Sequence, residues 1–176
     1  MNAFFVYAAV GANFRQYSLD MNDGSLTERS ELTLPAGLQY AWRHATKPIL
    51  YVACSDGGPG QAGTQHFVCA LAIQRDGSLI LEGLPTPLQS RPVHITSDRN
   101  SQHILLAYNA PSALSVHPIR RDGSIGEEVK QNTFDLGVCA HQILVAPDNH
   151  RVVLPVRGND PEHGIPELPG SIEIFD

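Results

Sequence analysis

The chain has 176 residues, of which 42% are hydrophobic and 17% charged. That balance fits a folded domain and excludes a disordered polar chain. The formal net charge is −6 and Arg120-Arg121 is an isolated pair, so no nucleic-acid partner is expected.

In chain order, the opening MNAFFVYAAVGA is apolar for only about ten residues and has no basic residue ahead of them. It is too short to cross a bilayer and lacks the charged start of a signal peptide. It reads as a strand, and no membrane partner is expected. Next comes a short run, FRQYSLD, followed by Asp23-Gly24-Ser25. The same tripeptide recurs as Asp76-Gly77-Ser78 and Asp122-Gly123-Ser124, at separations of 53 and 46. Each follows a run with apolar residues, and each precedes Leu26, Leu79 or Ile125. Asp-Gly between apolar runs predicts a hairpin, because glycine accepts positive φ and aspartate bonds its own backbone.

Between these turns a second pattern repeats. GLQYAW, PVHIT and HQILVA are each followed by a polar turn (RHATK, SDRNS, PDNH) and then by a further apolar run. Aligning Ile49, Ile104 and Val152 in those later runs gives steps of 55 and 48. The unit is strand, polar turn, strand, loop, strand, Asp-Gly turn, strand. Four antiparallel strands in roughly 45–50 residues is the period of a propeller blade. The predicted fold is therefore all-β: a β-propeller of four-stranded antiparallel blades, of which residues 1–176 form one partial domain of about three to four blades. Propellers close with about four to eight blades, so either the chain is truncated at its C-terminus, the reading favoured here, or it is an open stack with exposed edges.

Gly58-Pro-Gly60-Gln-Ala-Gly63 has the glycine spacing of a dinucleotide-binding loop, and Glu82 follows Gly63 by 19 residues. Ser55, Asp56 and Gly57 separate it from the preceding strand, however. The segment that would become the helix, TQHFVCALAIQ, aligns with SALSVHPIR, which contains Pro118. An inserted blade loop is expected instead, and no cofactor. Cys54, Cys69 and Cys139 are spaced by 15 and 70, which is neither a disulfide framework nor a zinc pattern. Each lies in an apolar run, so buried free thiols, no metal and a reducing cytoplasmic location are expected.

The stretch SRPVHITSDRNSQHILLAYNAPSALSVHPIRRDGSIG and the later CAHQILVAPDNHRVVLPVRGND resemble blades of the seven-bladed propeller lactonases. That family includes 6-phosphogluconolactonases and carboxymuconate cyclases. The resemblance covers nearly the whole chain and supplies the number seven. It implies full-length relatives roughly twice as long as this chain and a small-molecule lactone as substrate. Where many relatives carry His-x-His, this chain has Cys139-Ala140-His141. Where many carry Asp-Leu-Gly, it has Val156-Arg157-Gly158.

Opening a lactone needs an activated water, a stabilised oxyanion and a cation for any acid group. Histidine can be the base and arginine the cation. His141 starts one strand and Arg157 follows the next. A hairpin turning at Pro147-Asp148-Asn149-His150 would bring both to the end opposite its turn. They are the candidate catalytic pair. His94, Asn109 and Asp160 are candidate substrate-binding residues. His94 starts the equivalent strand one unit earlier, but the 48-residue step maps it onto Gln142, so the two histidines need not share a face. Asn109 holds Arg157's place in its own unit, and Asp160 would orient Arg157 or cap a loop. His44, His66, His103, His117, His150 and His163 read as surface residues. No Gly-x-Ser-x-Gly motif occurs, which disfavours a serine nucleophile. The expected activity is a lactonase. The alternatives are a carboxymuconate cyclase-like enzyme and an inactive fragment or binding scaffold that self-associates through open sheet edges.

Overall fold

The computed structural model describes residues 4–132, 135–161 and 164–176, and its regular elements are all strands. They form four antiparallel sheets in chain order. The first holds β1 (Phe4–Val10), β2 (Asn13–Leu19) and β3 (Leu26–Thr33), in that spatial order. The second is β4 (Gly37–Arg43), β5 (Ile49–Ser55), β6 (His66–Ile73) and β7 (Leu79–Pro87). The third is β8 (Pro92–Ser97), β9 (His103–Asn109) and β10 (Ser112–Pro118). The fourth is β11 (Leu144–Val145), β12 (Val152–Val156) and β13 (Ser171–Phe175).

Neighbouring sheets pack face to face, and alternate residues of a strand serve the two sides. On β5, Val52 and Cys54 join Phe14 and Leu34 in one core, while Tyr51 and Ala53 join Ile104, Leu106 and Tyr108 in the next. On β9, Leu105 and Ala107 face the fourth sheet, against Ile143, Leu154 and Val156. Burial on both faces is why these strands read as unbroken apolar runs rather than alternating ones.

The Asp-Gly turns form as expected. Gly24, Gly77 and Gly123 have φ of 74°, 82° and 95°. In each, the aspartate Oδ1 accepts the N–H of the following serine, at 2.8, 3.0 and 2.9 Å. Two of these turns also lock neighbouring sheets together. Tyr7 on β1 donates its hydroxyl to the Gly77 carbonyl at 2.6 Å, and Tyr51 on β5 donates to Gly123 at 3.0 Å. A Cβ on Gly77 would meet the Phe5 ring at 2.5 Å, and one on Gly123 would meet Ile49 Cδ1 at 2.1 Å. The Phe5 ring thus leaves no room for a side chain at Gly77, and at Gly123 the Ile49 methyl would have to move aside.

The stack of antiparallel sheets is the predicted all-β partial propeller, and among the described residues the second sheet carries four strands and the other three carry three. In the third, the expected last strand shrinks to an Ile119–Ile125 bridge with bonds from Gly126 N to Pro118 O and from Val129 N to Val116 O. Pro118 offers no N–H, so the ladder cannot continue there. The alignment of Ile49 with Ile104 is also one residue off. The bonds that close the polar turns run from His44 N to Ile49 O, Asp98 N to His103 O and Ala146 N to Arg151 O. The equivalent residues are therefore Ile49, His103 and Arg151, and the first step is 54 rather than 55. The 48-residue step stands.

Candidate functional site

Strand ends from three sheets meet at one rim of the stack. The backbone ahead of β11 pairs with the end of β12: His141 N donates to Pro155 O, Arg157 N donates to Cys139 O, and Ala140 bridges Val156. His141 and Arg157 therefore lie at the same end of their hairpin, opposite the Asp148 turn. Ser112, at the β9–β10 turn, fixes this segment by accepting the Ala140 N–H at 2.8 Å. Cys139 takes φ 61° at the corner.

These residues wall a cavity of about 650 Å³. His141, Arg157 and Cys139 come from the fourth sheet, and Asn109, Val93 and Arg91 from the third. The backbone of Gly58 to Ala62 comes from the second. Asn109 and Arg157 hold equivalent places, 48 residues apart, as do Arg91 and Cys139. Among the described residues the lining includes two arginines and no carboxylate, a cationic spot on a chain of net charge −6. Among the described residues neither arginine makes an ion pair.

The glycine loop is built, not slack. Gly58 and Gln61 exchange both backbone hydrogen bonds around Pro59-Gly60, where Gly60 has φ 73°. Proline first and a positive-φ glycine second is the sequence requirement of a type II turn. At its root, Asp56 accepts the N–H groups of Thr64 and Gln65 at 2.8 Å each. Those bonds hold the carboxyl below its usual range. Ser55 Oγ accepts the Gly57 N–H at 2.9 Å and contacts His66 Nδ1 at 2.8 Å. The following segment is strand β6, so the loop opens no helix.

Of the other candidates, His94 is not on the cavity wall. It is 3% exposed and packs beside Tyr40, with ring centroids 4.3 Å apart. Its Nδ1 accepts the Ile143 N–H at 3.4 Å. Burial, and secondarily His141, lower its pKa. One register step separates the facing of the two histidines, as the spacing requires. Asp160 is exposed and outside the cavity. Its carbonyl accepts from Asn159 Nδ2, and it makes no ion pair with Arg157 among the described residues.

The surface reading of the remaining histidines fails for three. His44, His66 and His117 are buried. His44 Nδ1 accepts the N–H groups of Thr46 and Lys47, each at 3.1 Å. His117 donates from Nδ1 to Gly126 O and takes the Ser115 hydroxyl on Nε2, while Ser115 accepts from Tyr108. These imidazoles satisfy polar groups inside turns and between strands, which residue alternation alone does not reveal. His103 is half-exposed beside Asp98 at 3.0 Å, and His150 is exposed. His163 lies outside the described residues. Cys54 and Cys69 are buried free thiols as expected, but Cys139 is only half-buried.

Sequence reasoning missed Arg91, Gln39 and the role of the glycine loop. The signal for Arg91 was present: the 48-residue step gives it Cys139's place, at the same end of its hairpin as Asn109.

The stacked antiparallel sheets and rim cavity define a partial β-propeller. A family described as lactonase, 7-bladed beta-propeller matches residues 7–161, and the chain belongs to that family. Among solved structures it is similar to a periplasmic gluconolactonase of Pseudomonas aeruginosa, with 17% identity and a TM-score of 0.69 over 88% of this chain and 47% of that one. It is also similar to a Lactobacillus plantarum protein, with 13% identity and a TM-score of 0.68 over 99% and 59%. A proposed 6-phosphogluconolactonase from Bacteroides fragilis aligns at 16% identity and a TM-score of 0.63 over 84% and 42%. The chain thus spans about half the length of these structures. No curated protein sequence matches it. Among the described residues, no helix is long and apolar enough to cross a membrane.

Proposed function

We propose that the rim cavity opens a lactone ring by hydrolysis, with a sugar-acid lactone of the 6-phosphogluconolactone type as substrate. The observation that carries this is the meeting of His141, Arg157 and Asn109 on one cavity wall, in a family of lactonases. His141 takes a proton from water as its oxygen adds to the ring carbonyl carbon. Arg157 and the Asn109 amide donate to the oxyanion that forms. Collapse breaks the ring carbon–oxygen bond, and the proton held by His141 passes to the departing alkoxide. The products are a carboxylate and a free hydroxyl. No serine nucleophile and no cofactor enters this scheme.

The test is ring opening followed by continuous titration of the acid released. His141→Ala is expected to lower kcat by about 10²–10⁴-fold. Arg157→Ala is expected to lower kcat/KM by about 10- to 100-fold, the worth of a charge-assisted contact. Turnover unchanged by His141→Ala removes that residue from the scheme. A carboxymuconate cyclisation is a second reading, favoured by the cationic wall, and assaying both substrates on one preparation separates them. Three unpaired cysteines favour a reducing cytoplasm. Cell fractionation checks this against the periplasmic Pseudomonas protein.

A further inference from the structure

Arg91 occupies the cavity wall at the start of β8, beside the glycine loop. Its Nε donates to Gln39 Oε1 at 2.9 Å. Gln39, on β4, turns its amide nitrogen toward the carbonyls of Gly37, Ser55 and Gly57, at 3.3, 3.4 and 3.4 Å. Those carbonyls lie at the start of Gln39's own strand, at the end of the neighbouring strand and at the root of the loop. A single amide thus fixes one edge of the guanidinium to the backbone that carries the loop. Among the described residues no carboxylate forms an ion pair with Arg91. A guanidinium held by one neutral bond keeps its charge and its remaining N–H groups for an anion.

We propose that Arg91 is a second anion-binding residue of the cavity, with Gln39 as its positioning residue. The acid group that such a lactone carries away from its ring carbonyl would then lie on Arg91 against the glycine loop, while Arg157 meets the ring carbonyl and, after opening, the carboxylate. This rests on the reading of the cavity as the ligand site, and it adds to that reading the residues that hold the distal acid group.

The test is calorimetric titration of the chain with 6-phosphogluconate, which has two anionic groups, and with gluconate, which has one. Wild type is expected to prefer 6-phosphogluconate. Arg91→Ala is expected to weaken it by about 10- to 100-fold and to collapse the ratio between the probes. Arg91→Lys keeps the charge but loses the fork held by Gln39, so it should retain part of the ratio. Gln39→Glu leaves Arg91 in place and pairs it with a carboxylate, so it should reduce the ratio without deleting the arginine. Thermal midpoints of all variants identify any that fail to fold. A ratio untouched by Arg91→Ala and Gln39→Glu, equal weakening of both probes, or no binding of 6-phosphogluconate to wild type overturns the proposal. If wild type opens no lactone but the probe ratio behaves as described, the hydrolytic reading fails while the two-anion site stands.

Discussion

His94 and His141 occupy neighbouring sheets at places one residue out of step, and that single step sends one imidazole into the packing and the other to the cavity. His94 is nearly sealed and accepts a backbone N–H, so its neutral form is the one the fold accommodates. With its folded pKa lowered by burial, the unfolded chain binds its proton more readily. Stability is therefore retained above the unfolded value, near 6.5, and falls as pH drops below it. Urea midpoints at pH 5 and pH 7.5 check this: the gap between them should narrow in His94→Phe. It should not vanish, since burial also lowers the pKa of His44. The site was legible where two residues share one hairpin, because closing Cys139 O onto Arg157 N leaves no freedom in where His141 sits. The tie between Arg91 and Gln39 was not legible, since the two lie 52 residues apart in sequence. The buried histidines were misread because their partners, turn N–H groups for His44, the Ser55 hydroxyl for His66, and the Ser115 hydroxyl and Gly126 carbonyl for His117, form no motif that strand alternation exposes.

Strands in this stack are joined across sheets by a recurring device. A tyrosine on the second strand of a blade bonds the glycine carbonyl in the Asp-Gly turn of the next, and Tyr7 and Tyr51 stand 44 residues apart in this role. Burial pushes the Tyr51 hydroxyl up to about 12, consistent with a group kept as a neutral donor. Tyr51→Phe strands the Gly123 carbonyl and should cost about 1–3 kcal/mol, read from denaturant midpoints. The glycines allow a sharper comparison. Gly24→Ala meets open space and suffers only from positive φ, about 1–3 kcal/mol. Gly77→Ala, also at positive φ, adds a collision with the rigid Phe5 ring, worth about 1–3 kcal/mol more. Equal losses in the two variants would contradict this packing. The turns themselves were plain in the sequence, since Asp-Gly-Ser dictates local geometry. Their second duty was not, because it depends on a sheet that precedes the turn by a full unit.

The whole stack has two outer faces. On the first sheet, Phe4 and Val10 are 53% and 77% exposed. The counterpart of Val10 in the second sheet, Cys54, is buried against a neighbour. On the fourth sheet, Leu144, Val153 and Ile174 stand in one cross-strand row beside Pro155 and Ile172, with Ile172 67% and Ile174 61% exposed. Copies of this chain are expected to associate through these faces. Light scattering after size exclusion checks this, and Val10→Asp with Ile174→Asp should shift the population toward monomer. The order of strands was readable because apolar runs and turn residues recur at a fixed period. The thinning of the third sheet was not, since it follows from one missing donor at Pro118. Phe5 and Tyr7 clasp the Gly77 turn and Ile49 and Tyr51 clasp the Gly123 turn, whereas among the described residues nothing comes within 4 Å of a Cβ placed on Gly24. A turn held by its own bonds alone opens sooner than one clasped by a neighbouring sheet. Amide protons around Gly24 should therefore exchange with deuterium well before those around Gly123.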